Sequence, residues 1–203
     1  MKSLVLTVIL FCLMPVLQAQ DDLPFLSEDR NVSGTWYKKA IVYDVNSPEL
    51  ISMEEFPFVV RMLHKGSMEV TIYCVLNGEC IRIDFLMEKT EKPGMYRAFW
   101  NSLLTYVYEL PVMDHYVFYS ELKLIEKKVY AGELIGKDPK ENPQALEEFK
   151  KFIQSKGFPL ENIIVPQQRG EWLSLRTANR ESTLSLMDRS TFPGVLFSMT
   201  TQR

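Results

Sequence analysis

Between Trp36 and Gly136, apolar and polar side chains alternate over short segments, a pattern typical of strands with one buried face. Turn signals such as Asn77-Gly78 and Lys92-Pro93-Gly94 separate these segments. The pattern predicts eight strands, over residues 34–45, 55–64, 67–76, 80–89, 94–100, 103–110, 115–123 and 128–137. Their regular spacing with short turns indicates an antiparallel meander.

The strand number also constrains how the sheet is arranged. An open meander would leave two unpaired edges, which promote aggregation and which closure removes. The predicted fold class is therefore all-β, an eight-stranded up-and-down barrel, with a sandwich of two sheets as the alternative. A barrel of this size encloses side chains or one small ligand.

The hydrophobic period changes once, after the last predicted strand. Asn142-Pro143 supplies an N-cap and a proline for the first helical turn. The following residues predict a helix over about 143–156 that packs on the outside of the sheet. Its apolar stripe consists of Ala145, Leu146, Phe149, Phe152 and Ile153. The apolar run from Ile163 to Val165 predicts that these residues form one short additional strand.

The N-terminal residues are typical of a secretory signal. Lys2 precedes an apolar run from Leu4 to Val16, and Ala19 offers a small residue for cleavage. We therefore expect residues 1–19 to be a signal peptide, residues 20–172 the barrel domain and residues 173–203 a C-terminal tail. The apolar run is shorter than the roughly 20 residues of a transmembrane helix. The predicted protein is secreted, extracellular and not stably inserted in a membrane.

Charge and cysteine content narrow the chemistry. The chain has 23 basic and 26 acidic residues, and this acidic surplus argues against nucleic-acid binding. After signal cleavage Cys74 and Cys80 remain, and neither lies near a His, so we expect no metal site. They can form a local disulfide if the hairpin loop has three residues, whereas a two-residue loop places them on opposite faces. Asn31 begins an Asn-Val-Ser sequon that would carry a glycan if exposed.

Three short motifs occur in an informative order. Gly34-Thr35-Trp36 opens the first strand, Asp114-His115-Tyr116 lies in the turn before the seventh, and Gly136-Lys137 ends the eighth. This order resembles the lipocalin family, over residues 22–172. The stretches 32–37, 88–96 and 112–119 are similar to its tear (von Ebner gland) lipocalin, odorant-binding and vomeronasal secretory branch. The resemblance implies a secreted barrel that carries small hydrophobic molecules, and we expect no enzymatic activity and no cofactor.

The motif residues are expected to stabilise the closed end of the barrel. Trp36 is large enough to plug the end, and Lys137 can lie over its indole face. The structural set is Gly34, Trp36, Asp114, Tyr116, Gly136 and Lys137. The resemblance also implies that a cysteine at position 80 pairs with one near the C-terminus. Because Trp172 occupies that position, this disulfide is expected to be absent.

The ligand-binding residues are inferred from side-chain parity. With Trp36 and Lys137 facing inward, parity places Ala40, Val42, Glu133 and Ile135 inside. We expect Glu133 to provide polar selectivity. The strictly alternating third and fourth strands add Val70, Ile72, Cys74, Ile83, Phe85 and Met87. The resemblance favours Thr105, Val107, Phe118 and Ser120 as inward.

Two other function classes stay open at this point. An isomerase-type lipocalin would need a catalytic cysteine, and Cys74 is the inward candidate. His64 and His115 are expected to be solvated turn residues that do not activate it. A secreted interaction protein or protease inhibitor would need no ligand. The expected partners are a small lipophilic ligand and a cell-surface receptor, and the expected state is a monomer or weak dimer.

Overall fold

The computed structural model describes residues 23–44, 56–76, 79–123 and 127–166. Eight strands form one closed barrel in which each strand pairs with the next and the last pairs with the first. All pairings are antiparallel, so the predicted up-and-down barrel is confirmed and the sandwich alternative is wrong. The strands are β1 (Gly34–Tyr43), β2 (Phe58–Met62), β3 (Met68–Leu76), β4 (Glu79–Lys89), β5 (Met95–Ala98), β6 (Leu103–Glu109), β7 (His115–Lys123) and β8 (Lys128–Gly136).

The predicted helix is present as α1 (Pro143–Ser155). The Asn142 side chain accepts a hydrogen bond from the Ala145 amide at 3.0 Å, which satisfies one of the free donors of the first turn. The buried residues of α1 are Ala145, Phe149, Phe152 and Ile153. They pack on the outer face of the barrel with Val117 and Leu134, among others.

One glycine allows this close packing. A Cβ built on Gly132 would lie only 2.3 Å from the Ile153 Cδ1 atom and 3.2 Å from Val42 Cγ1. Any larger residue at position 132 would push α1 away from the outer face of the barrel, since packed interiors tolerate little added volume.

Strand β1 contains an irregularity that changes which residues face inward. Lys38 pairs with Ile135 of β8, but the next pair is Ala40 with Leu134, so Lys39 is an extra residue in β1. An extra residue of this kind reverses the alternation of the residues that follow it. The parity argument from Trp36 therefore fails beyond Lys38.

The connection between β3 and β4 bears on the two cysteines. Leu76 pairs with Glu79, which leaves two residues between the strands. Cys74 is opposite Ile81 and Cys80 is opposite Val75, so the two cysteines are not partners in the register of the two strands. This register does not favour the local disulfide. The side chains of residues 74–81 lie outside the described part of the structure.

Two further expectations concern the ends of the chain. Ile164 forms a single bridge with Ile41 of β1, where the sequence predicts a short additional strand. No helix in the described ranges has the length and apolarity needed to cross a membrane. The predicted signal peptide (residues 1–19), Trp172 and the tail (173–203) lie outside the described residues.

Candidate functional site

The candidate site is the interior of the barrel. All eight strands contribute buried apolar side chains to one cluster, which identifies it as the interior rather than one outer face. Partly buried residues line its edge, including Ile72, Phe85 and Phe99. The strand members are Trp36, Phe58, Val60, Met68, Val70, Met87, Tyr96, Ala98, Val107, Tyr116, Phe118 and Ile135.

Trp36 forms the floor of this interior. Its side chain is 1% exposed, and its indole N–H donates a hydrogen bond to the Val32 carbonyl at 2.8 Å. The ring of Tyr116 meets the indole edge-on, with centroids 5.3 Å apart and planes at 82°. This edge-to-face geometry is favourable for aromatic pairs and fixes both rings at the closed end.

The three sequence motifs meet at this floor. The Lys137 Nζ atom lies 5.1 Å from the Trp36 ring centroid, as expected for a cation–π contact. The Lys137 amide donates to the Asp114 carbonyl at 3.3 Å, which joins the end of β8 to the turn before β7. Gly34 has a φ of +130°, and the Lys137 side chain lies 3.9 Å from the position of a Cβ there. These contacts stabilise the closed end.

Near the closed end, burial shifts the pKa values of two ionisable side chains toward their uncharged forms. Desolvation raises the pKa of Tyr116, with the nearby Glu109 carboxylate adding to the shift. Desolvation lowers the pKa of Lys39, although the charges of Asp138 and Glu141 oppose it. The Lys39 ammonium donates to the Lys140 carbonyl at 2.6 Å, so the bulge residue is anchored outside the barrel.

One histidine expectation is wrong. His64 is exposed in a 3-10 turn, as predicted. His115 is only 7% exposed, because its ring fills the space beside Gly136, where a Cβ would lie 2.8 Å from Nε2. Its Nδ1 atom is 2.8 Å from the Met113 carbonyl. His115 is therefore a buried packing residue rather than a solvated one.

A charged pair interrupts the apolar interior. The Lys38 Nζ atom lies 3.0 Å from Glu133 Oε1, and the two side chains are 19% and 21% exposed. Glu133 faces inward as predicted, since Ile135 of the same strand belongs to the interior cluster and Leu134 belongs to the helix-facing cluster. Lys38 was missed, although its even spacing from Trp36 could have identified it.

A second polar pair lies on β6 and β7. The hydroxyl groups of Thr105 and Ser120 are 2.9 Å apart, and Thr105 is 2% exposed. Their strand neighbours Val107 and Phe118 belong to the interior cluster, so both hydroxyls face inward. Mutual hydrogen bonding removes much of the cost of burying these groups.

The inward positions of most other candidates agree with the parity argument. Ile83 lies opposite Ile72 on the inward face, and the side chain of Cys74 lies outside the described residues. The candidates found in or against the interior cluster are Val70, Ile72, Phe85, Met87, Val107, Phe118 and Ile135. Their role in binding stays a prediction.

Two candidates are misplaced. The assignment of Ala40 and Val42 to the interior is wrong, because both are fully buried in the cluster beneath α1. The bulge at Lys39 turns them outward and turns Ile41, opposite Glu133, inward. Four further interior residues were not predicted, because β2 and β5 are short and show no clear alternation: Phe58, Val60, Tyr96 and Ala98.

Comparisons with known proteins agree with this architecture. Residues 33–170 match the model of the lipocalin / cytosolic fatty-acid binding protein family. The chain is 46% identical to mouse vomeronasal secretory protein 2 over 83% of this chain and 91% of that protein. It is 40% identical to mouse odorant-binding protein 2a, over 82% and 95%, and 35% identical to rat von Ebner gland protein 2, over 83% and 95%.

A solved structure shows the same fold. The siderocalin Ex-FABP matches with a TM-score of 0.60 at 17% identity, over 68% of this chain and 96% of that one. The family match covers most of the chain, including all eight strands and α1. By sequence and by architecture, this chain belongs to the lipocalin family.

Proposed function

We propose that the protein is a secreted, extracellular carrier that binds one small hydrophobic molecule, such as an odorant, a pheromone or a lipid-like compound. The observation that carries the proposal is the apolar interior, to which all eight strands contribute and which Trp36 closes at one end. The relative named odorant-binding protein 2a supports this class of ligand, and the relative named vomeronasal secretory protein 2 supports secretion.

The energetics fit a carrier that loads and releases its ligand. Burying a ten-carbon chain yields roughly 8 kcal/mol at about 0.8 kcal/mol per methylene. Immobilising the ligand and desolvating polar groups subtract several kcal/mol from this gain. The remaining free energy is about 4–5 kcal/mol, which corresponds to a Kd between roughly 0.1 and 1 mM and allows exchange with the surroundings.

Displacement of a fluorescent naphthylamine probe from the full mature chain tests the proposal. Ile72 is partly buried and packs against the interior cluster. Ile72→Trp should therefore fill the barrel interior and abolish probe binding. Leu86→Trp is the matched control, because Leu86 is 45% exposed on the outer face of the neighbouring strand. Probe binding lost in the first variant and kept in the second supports the carrier. A wild-type protein that binds no probe would refute it.

The secretory part of the proposal has its own test. Expression of the full chain in mammalian cells should release the protein into the medium, with an N-terminus that begins at position 20 or 21. N-terminal sequencing of the released protein measures this directly. Retention of the uncleaved chain inside the cells would contradict it.

We propose that the protein binds its ligand and does not convert it chemically. An isomerase of the lipocalin type would depend on a reactive thiol, for which Cys74 was the sequence candidate. We expect no turnover of a prostanoid endoperoxide by the reduced protein, and no change after thiol alkylation. Thiol-dependent product formation would replace the carrier proposal with an enzymatic one.

A further inference from the structure

The ion pair of Lys38 and Glu133 lies on the inward face of the barrel wall, near the floor that Trp36 forms. Lys38 is two residues from Trp36 and pairs across the sheet with Ile135, both almost completely buried. Glu133 lies opposite Phe118, which is the next inward-facing residue of β7 after Tyr116 at the floor. Each charged side chain keeps about a fifth of its surface exposed, 19% for Lys38 and 21% for Glu133.

The exposed part of this pair determines what a ligand meets when it enters. An apolar ligand would desolvate both charged groups without offering them a hydrogen bond, which costs free energy. A ligand with a polar group at this depth can replace the lost water. The chemistry of that polar group therefore affects affinity.

We propose that the Lys38–Glu133 pair selects ligands with a neutral hydrogen-bonding head group, above all alcohols, over ligands with a carboxylate. This inference rests on the proposed carrier function and specifies the ligand class. An alcohol donates its O–H to the Glu133 carboxylate and accepts a hydrogen bond from the Lys38 ammonium. Both charges then keep a partner.

A carboxylate meets the opposite situation. It has no proton to donate to Glu133, and it competes with that side chain for the Lys38 ammonium at 3.0 Å. Two anions would then share one cation in surroundings of low polarity, where like charges repel more strongly than in water. Ionised fatty acids are therefore disfavoured.

The two hydroxyl groups of this wall do not change the balance. Thr105 and Ser120 are neutral and bonded to each other. Along the inward faces of the described residues of β1, β6, β7 and β8, Lys38 is the sole cation. A carboxylate that reaches this wall thus finds a cation already paired with Glu133.

The test compares three ligands of equal chain length at pH 7.5, each displacing the naphthylamine probe. Decan-1-ol carries a donor and an acceptor, methyl decanoate carries acceptors alone, and decanoate carries a negative charge. The wild-type protein should bind decan-1-ol at least about tenfold more tightly than decanoate. Methyl decanoate should fall between them.

Two variants assign the preference to the ion pair. Glu133→Gln removes the anion that repels a bound carboxylate and competes with it, so the affinity for decanoate should rise about tenfold or more. In the double variant Lys38→Gln/Glu133→Gln this gain should disappear, because the cation is gone. The double variant also guards against misfolding, since it removes both charges together.

Glu121→Gln is the matched control. Glu121 forms an ion pair of the same length range with Lys128, 2.9 Å, but Glu121 points to the outer face of the barrel wall. This variant should leave the ranking of all three ligands unchanged. If it changes the ranking as Glu133→Gln does, the effect is one of net charge and the proposal is wrong.

The outcomes separate this proposal from the carrier function. If none of the ligands displaces the probe and the probe itself does not bind, the carrier function fails. If decan-1-ol binds but decanoate binds equally well or better in the wild type, the carrier function stands and the selectivity proposal is overturned. The same follows if Glu133→Gln leaves the ranking unchanged.

Discussion

Lys38 and Ala40 stand two positions apart in β1 but lie on opposite faces of the barrel wall. Lys38 reaches inward to Glu133, whereas Ala40 is fully buried beneath α1. In a regular strand the two side chains would share a face. The extra residue Lys39 separates them, so the even-numbered residues of β1 face the interior before Lys39 and the helix interface after it.

The first prediction follows from this reversal. Ala40→Leu adds volume to the packed interface with α1, so it should lower the free energy of unfolding by about 1–3 kcal/mol. The affinity of the folded protein for the naphthylamine probe should stay unchanged, because Ala40 does not face the interior. Urea unfolding and probe titration measure the two quantities.

Ala98→Leu is the control for this prediction. Ala98 of β5 belongs to the interior cluster, so the same substitution there should weaken probe binding. A loss of probe affinity in Ala40→Leu, with α1 still folded, would contradict the reversal of β1. Equal effects of the two variants would do so as well.

The hydrophobic pattern of the chain determines the positions of its strands and helix. Turn residues and alternation located all eight strands, and the Asn-Pro cap located α1, because these signals are local. In β3 and β4 the alternation is strict, and the inferred inward residues Val70, Ile72, Phe85 and Met87 lie in or against the interior cluster. Local signals were sufficient there.

The bulge and the ion pair could not be found in the same way. Residues 40–42 of β1 are all apolar, so the pattern does not show which of them faces the interior. The bulge depends on how β1 pairs with β8, which is a non-local property. The contact between Lys38 and Glu133 likewise depends on register across two strands nearly a hundred residues apart in sequence.

The second prediction concerns the floor of the barrel. Lys137→Met removes the cation that lies 5.1 Å from the Trp36 ring centroid while keeping an apolar chain of similar length. Because Lys137 is exposed, we expect a loss of about 0.5–1 kcal/mol in the free energy of unfolding. Lys137→Arg should match or exceed the wild type, since a planar guanidinium stacks better. Equal stability of the Met and Lys proteins would show that the contact contributes nothing.

The third prediction concerns Asn31. Its side chain is exposed, and its Oδ1 accepts a hydrogen bond from the Ser33 amide at 2.9 Å. The Asn31 side chain is therefore accessible, and protein released from mammalian cells should carry an N-glycan there. Digestion with an N-glycosidase should increase its electrophoretic mobility, and Asn31→Gln should abolish that change. An intact mass equal to that of the bare polypeptide would contradict the prediction.

The fourth prediction concerns the turn between β5 and β6. Phe99, Trp100 and Asn101 have φ values of 49°, 58° and 67°. This conformation costs roughly 1–2 kcal/mol for a residue such as Trp100, and less for asparagine. Phe99 packs against Phe85 with ring centroids 5.1 Å apart, but Trp100 is 85% exposed and gains little from packing. Trp100→Gly should therefore raise the free energy of unfolding by about 1 kcal/mol, because glycine adopts this conformation without strain.

Met113→Gly is the control for this effect. Met113 is equally exposed, at 86%, but its φ is not positive. Glycine there relieves no strain and makes the unfolded chain more flexible, so this variant should be less stable than the wild type by up to about 1 kcal/mol. Urea unfolding of both variants measures the difference. The two substitutions remove side chains of similar exposure, so opposite changes in the free energy of unfolding would be due to the backbone conformation. A Trp100→Gly protein less stable than the wild type would show that the Trp100 side chain forms contacts that outweigh the strain.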